Sequence, residues 1–216
     1  MLKVYYLKTS KISKEEIILL RGKASLEAIK EACSCRSEKV VLTTLLKDVI
    51  LTRLLHELVG LKRGDYKILV GDHGKPYLNI PFYFNISHSK DYWACAFSDS
   101  NIGFDLEKIA HARMEVAKRF FHINEIEILK NLSGKAQDNM FFKLWSAKES
   151  FVKYTGAGLT RPLASFEIVG NKIKAEEDFL NLHLLPLCID SDYSSYITTE
   201  SLESIELKKL NLSDIL

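Results

Sequence analysis

The stretch Trp145-Ser146-Ala147-Lys148-Glu149-Ser150-Phe151-Val152-Lys153 constrains this chain most. It lies in a segment, Asn139 to Tyr154, whose apolar Phe141, Phe142, Trp145, Phe151 and Val152 recur at helical spacing. Gly156 and Gly158 follow as stop signals. The spacing predicts a helix with one aromatic side. Glu149 and Lys153 are four residues apart, so their side chains leave the same face. An exposed acid–base pair of this kind is common and weak. What surrounds the helix decides whether this pair is more than that.

Upstream, Asn101-Ile102-Gly103-Phe104-Asp105-Leu106-Glu107-Lys108 alternates apolar Ile102, Phe104 and Leu106 with Asp105 and Glu107. That is a strand pattern, and residues two apart in a strand point to one side. Two carboxylates held so close repel unless a cation neutralises them. An edge strand facing water would suit the spacing; so would a hard divalent ion, with Glu149 as a third carboxylate if the helix packs on this strand. Further upstream stand Gly74-Lys75-Pro76-Tyr77-Leu78 and Phe84-Asn85-Ile86-Ser87-His88-Ser89. The first holds a cation on a turn stiffened by proline. The second ends an apolar run with three side chains able to bond phosphate oxygens.

In this order the segments resemble the 4′-phosphopantetheinyl transferase superfamily, most closely its larger, surfactin-synthetase-activating type. The resemblance rests on Gly103-Phe104-Asp105 with Glu107, on Trp145-Ser146-x-Lys148-Glu149-Ser150-x-x-Lys153, on Gly74-Lys75-Pro76 and on Asn85-x-Ser87-His88-Ser89. It implies Asp105, Glu107 and Glu149 as magnesium ligands and Lys153 beside the coenzyme A pyrophosphate. It implies Ser87 and His88 near the 3′-phosphate and Lys75 in the loop beside the nucleotide. Two positions depart from the pattern. Phe104 stands where Ile or Val is usual, and Thr43 stands where a basic residue usually precedes Thr44-Leu45-Leu46, with Arg36 and Lys39 the nearby cations.

Composition fits a soluble globule. Of 216 residues, 47% are hydrophobic and 27% charged, and 30 Lys and Arg against 28 Asp and Glu leave a net charge of +2. No polyanion-binding balance exists, so no nucleic-acid partner is expected. No apolar run approaches the roughly 18 residues of a membrane span. The four cysteines show neither zinc spacing nor a disulfide framework, which suits a reducing cytoplasm.

Helices are expected at Lys14 to Cys33, broken near Gly22, and at Ser37 to Leu58, stopped by Gly60. Two short ones are expected at Met114 to Phe121 and Glu125 to Leu132, the latter capped by Asn124. Strands are expected at Tyr66–Val70, Phe82–Ile86, Tyr92–Phe97, Ser165–Val169, Lys172–Ala175, His183–Ile189, Tyr196–Thr199 and Ile205–Leu210. The class is α+β. The resemblance implies two similar halves related by a pseudo-two-fold axis, 1–100 and 101–216, each a long helix on a small, mainly antiparallel sheet.

The implied reaction moves the phosphopantetheine arm of coenzyme A to a serine of an acyl or peptidyl carrier protein, with magnesium, releasing 3′,5′-ADP. Glu149 is the candidate base, and Lys148 either orients phosphates or lies on the surface. A monomer is expected. The alternatives are a magnesium-dependent nucleotide phosphohydrolase and a non-catalytic module binding carrier proteins or coenzyme A.

Overall fold

A computed structural model gives the fold and describes residues 1–176 and 178–216, with the backbone alone at Leu159. The first half runs β1 (Leu2–Lys8), α1 (Lys14–Lys23), α2 (Leu26–Ser34), α3 (Glu38–Val59), β2 (Ile68–Val70), β3 (Pro76–Leu78), β4 (Tyr83–Ser89) and β5 (Tyr92–Ser98). The second runs β6 (Ile102–Lys108), α4 (Met114–Phe120), α5 (Ile123–Lys130), α6 (Gly134–Thr155), β7 (Phe166–Val169), β8 (Lys172–Ala175), β9 (Asp178–Phe179), β10 (His183–Leu187), β11 (Tyr193–Thr199) and β12 (Ile205–Lys209).

Local chemistry explains most boundaries. Ser13 and Glu16 close a capping box on α1, and Ser25 caps α2, so the break falls at Ala24–Ser25 and Gly22 stays helical. Gly60 ends α3 with φ +73°, and Leu61 N–H reaches back to Leu55 O. Helix α5 starts before the expected Asn124. The His122 ring accepts from Asn124 N–H, and the Glu125 carboxylate accepts from His122 N–H, a box built with histidine in place of serine. Helix α6 begins five residues before Asn139, because the polar turn Gly134–Asp138 carries no apolar periodicity to announce it.

Two sheets face one another. One has the order β12-β1-β5-β4, the other β10-β11-β6. All seven residues of β5 are buried. Its Trp93, Cys95 and Phe97 pack toward α3, while Ala94 and Ala96 meet Phe104, Leu106 and Ile197 of the opposite sheet. Helix α6 covers the far side of the second sheet with Phe141, Leu144, Phe151 and Val152. The layers are therefore helix, sheet, sheet, helix. In the first half β1 pairs antiparallel with β5 and β5 with β4; in the second β6 pairs antiparallel with β11 and β11 with β10. Residues 205–216, counted with the second half on sequence grounds, return to the first. There β12 runs parallel to β1, and Leu210, Leu212 and Ile215 join the core under α3.

Strand β6 ends its sheet, so its outward amides need partners. Strand β4 supplies them with side chains. Phe104 N–H donates to Asn85 Oδ1 at 2.9 Å, Leu106 N–H to Ser87 Oγ at 3.2 Å and Lys108 N–H to Ser89 Oγ at 3.0 Å. Three polar residues at strand spacing thus stitch the two sheets together, one reason for Asn-x-Ser-x-Ser at this place.

Candidate active site

The closeness of α6 to β6 comes from one missing side chain. A Cβ on Gly103 would lie 1.9 Å from Ser150 O and 2.3 Å from Tyr154 N. Glycine therefore lets the helix backbone rest on the strand. Gly103, Asp105 and Glu107 share that face, opposite Thr198, Tyr196 and Ser194 of β11. Small residues of α6 continue the seam: Ser146 and Ser194 hydroxyls meet at 2.6 Å, and Ser150 and Thr198 at 2.8 Å. Trp145 stacks on Phe141 at 6.1 Å with 7° between planes and fixes the outer side. The rotation this sets turns Glu149 and Lys153 toward Asp105 and Glu107.

The structure brings five predicted residues to one place: Asp105, Glu107, Glu149, Lys153 and Ser87. Lys153 Nζ donates to Asp105 Oδ1 at 2.7 Å and to Ser87 Oγ at 3.0 Å, and the Ser87 hydroxyl donates to Asp105 Oδ1 at 2.9 Å. Glu107 accepts from Ser89 Oγ at 2.9 Å. Asp105 Oδ2 is buried and has no hydrogen-bond partner. Burial first, then the Asp105 charge, raises Glu107 above the usual carboxylate range. The same two causes push Glu149 up to about 7, against a downward pull from Lys153. This is an acid cluster with negative charge in excess of its one ammonium. An orphaned buried oxygen and two strained carboxylates fit a hard divalent cation. Among the described residues no three acids, histidines or cysteines converge into a ready-made cage. Magnesium asks for less, since it keeps several waters and takes one or two direct carboxylates.

A cavity of about 300 Å³ opens beside this cluster. Glu149 and Lys153 line it with His73, Gly74, Lys75 and Pro76. A larger one of about 590 Å³, near Lys23, Arg53 and Arg63, is lined by none of the three acids. Chemistry, not size, selects the smaller.

The remaining predicted residues sit variously. Ser87 is buried and its hydroxyl is engaged on three sides. His88 projects from the other side of β4 and is exposed. Partial burial of its ring, then the nearby Lys39 and Lys153 charges, hold its pKa below the usual value. Lys75 lines the cavity with its stem, while its ammonium is bonded to Asn101 Oδ1, Ile102 O and Tyr154 O. The Thr43 hydroxyl donates back to Lys39 O and Val40 O of its own helix, so the cation facing His88 is Lys39, one turn earlier. Lys148 is neither on the surface nor among the phosphate groups. It is fully buried, paired with the equally buried Glu125 at 2.9 Å, and donates to Leu163 O and Phe166 O. Sequence reading missed Glu125 because that helix was started too late to expose the spacing His122-x-x-Glu125. It gave Asn85 and Ser89 no separate role, although their period of two was visible.

Residues 101–199 match the family described as the 4′-phosphopantetheinyl transferase superfamily. The 4′-phosphopantetheinyl transferase Sfp of Bacillus subtilis strain 168 is 39% identical over 127 residues, 58% of this chain and 57% of that protein. The transferase gsp of Aneurinibacillus migulanus is 33% identical over 129 residues, 60% of this chain and 54% of that protein. The transferase ffp of Bacillus subtilis is 35% identical over 159 residues, 73% of this chain and 71% of that protein. The chain belongs to this superfamily. It spans a little over half the length of the first two relatives. Within the superfamily signature as it stands here, each position has a physical task. Gly103 admits the helix, Ser146 and Ser150 bond it to β11, Lys148 anchors it to Glu125, and Glu149 and Lys153 face the acids.

Proposed function

We propose that this chain transfers the 4′-phosphopantetheine arm of coenzyme A to a serine hydroxyl of an apo carrier protein. The observation supporting this best is the acid cluster of buried Asp105 with the half-buried Glu107 and Glu149, with Lys153 across it and a cavity alongside. Asp105, Glu107 and Glu149 are the residues that would hold magnesium. That ion, when bound, neutralises charge on the pyrophosphate. The carrier serine oxygen attacks the β-phosphorus. Its proton passes to the Glu149 carboxylate, directly or through water, and the bond to the bridging oxygen breaks so that the electron pair leaves on 3′,5′-ADP. The place of Glu149 on α6, between the two strand acids and the cavity, suits that role. Lys153, held by Asp105 and Ser87, supplies a positive charge beside the same phosphates. His88 and Lys39 frame the end where the 3′-phosphate would lie, and Ser87 orients both Asp105 and Lys153.

The matching strand orders support reading the two halves, 1–100 and 101–216 with β12 returned, as related by a pseudo-two-fold axis with coenzyme A between them. No helix among the described residues is long and apolar enough to cross a membrane. The four cysteines are free, and a cytoplasmic location is part of the proposal. A monomer completes the reading. The test is product analysis with coenzyme A, magnesium and a panel of apo carriers. Release of 3′,5′-ADP only when a carrier is present supports transfer; equal release without carrier would make the chain a phosphohydrolase.

A further inference from the structure

The turn between β2 and β3 touches the end of α6 at several points. Lys75 Nζ donates to Tyr154 O at 3.3 Å, to Ile102 O at 3.0 Å and to Asn101 Oδ1 at 3.0 Å, and Asn101 Nδ2 donates to Tyr154 O at 2.9 Å. Tyr154 O is one of the last carbonyls of α6, which have no partner within the helix. A cation at that end also meets the negative pole of the helix. Beyond the helix, Gly156 and Gly158 have positive φ. A Cβ on Gly158 would come within 3.0 Å of His73 Cβ, and one on Gly156 within 3.6 Å of Lys75 Cδ. The whole turn is seated on the chain leaving α6.

We infer that Lys75 and Asn101 form a clamp that fixes the C-terminal end of α6 over β6, so that Lys75 is a positioning residue for Glu149 and Lys153 and not a charge contact to coenzyme A. Three carbonyl-type oxygens already receive its ammonium protons, which are all the donors it has. Moving it to a phosphate would leave Tyr154 O with Asn101 alone and Ile102 O without its side-chain donor. Asn101 stands where the chain passes between the two sheets, so the clamp ties the first half's turn to the second half's catalytic helix at their junction. Lys153 lies one residue before the clamped carbonyl. A small rotation there moves its ammonium off Asp105, and misplacement on the order of 1 Å costs up to about a hundredfold in rate.

This inference rests on the site being one for coenzyme A, and its test separates the two claims. Lys75→Met keeps the stem and removes the donors; Asn101→Ala removes the other donor to Tyr154 O and carries no change of charge. Both are expected to lower kcat by about 10- to 100-fold. Coenzyme A affinity by calorimetry should stay within about twofold, and the double variant, which leaves Tyr154 O with neither donor, should lower kcat further than either single, with the two effects non-additive. Amide exchange at Val152–Gly156 should quicken in both variants, whatever their activity. A Lys75→Met protein with parental kcat and weakened coenzyme A binding, beside an unaffected Asn101→Ala, overturns the clamp. Unchanged amide protection in both variants overturns it too. A parent that modifies no carrier overturns the functional reading alone.

Discussion

Asp105 holds the site together at the level of single side chains. One of its oxygens takes Lys153 and Ser87, and the other has no partner. Asp105→Asn keeps the shape and removes the charge, and transfer is expected to fall to near background while far-UV circular dichroism stays parental. Normal transfer at limiting magnesium would remove Asp105 from the metal set. Glu149 gives a pH test. Its folded pKa of about 7 lies above the ordinary carboxylate value, so between about pH 4.5 and 7 the folded protein keeps a proton that the unfolded chain has released. With chelator present, the parent should therefore lose stability as pH rises through that window, by up to ~3 kcal/mol from this group. Glu149→Gln should flatten that decline and melt higher than the parent at pH 8. Parallel pH curves for the two proteins would show that burial of Glu149 costs nothing. Spacing alone showed that Asp105 and Glu107 share a strand face and that Glu149 and Lys153 share a helix face, because periods of two and of four fix which side chains lie together; that the two faces meet was implied only by the resemblance. The role of Lys148 was not, since burial of a lysine depends on a carboxylate more than twenty positions away.

The same spacing logic worked for whole elements where periodicity was strong and failed at their ends. Helix α3 and the strands β5, β7 and β8 lie within a residue or so of where the pattern places them. The starts of α5 and α6 do not, because a histidine cap and a polar first turn carry no recognised signal. The return of β12 to the first sheet was also out of reach, since strand partners across the whole chain leave no local trace. Two element-level tests follow. Gly103→Ala forces a methyl into the α6 backbone and should cost about 3 kcal/mol or displace the helix. Stability within a few tenths of the parent would mean that the seam has slack. Lys148→Met leaves Glu125 charged and alone, and should cost ~3–5 kcal/mol by chemical denaturation. Adding Glu125→Gln should recover part of that loss, because the amide still accepts one of the two backbone N–H bonds of Glu125 and carries no charge. A double variant no more stable than Lys148→Met would show that packing, and not the lone charge, sets the cost.

For the molecule as a whole, the open question is how a carrier reaches the cluster. Phe121 is core, and Phe120 lies edge-on against Trp145 with Arg119 over its ring, so neither is a free anchor. Exposed residues on and beside α4 and α5 include the cations Arg113, Lys118, Arg119 and Lys130, the apolar Ile123 and Ile128, and the acids Glu115 and Glu127, the last paired with Lys130 at 2.6 Å. That mix suits an acidic partner, and complementary charge mainly speeds encounter. Arg113→Glu with Lys118→Glu should raise the carrier KM and flatten its salt dependence, with coenzyme A affinity unchanged; an unaltered carrier KM would move the docking face elsewhere. The central claim is group transfer itself. Its most direct measurement is the intact mass of apo carrier proteins after incubation with the chain, coenzyme A and magnesium. The account predicts that at least one carrier gains the mass of phosphopantetheine on its serine, matched by released 3′,5′-ADP, and that Asp105→Asn produces neither. Coenzyme A bound or hydrolysed with every carrier left at its apo mass would contradict it.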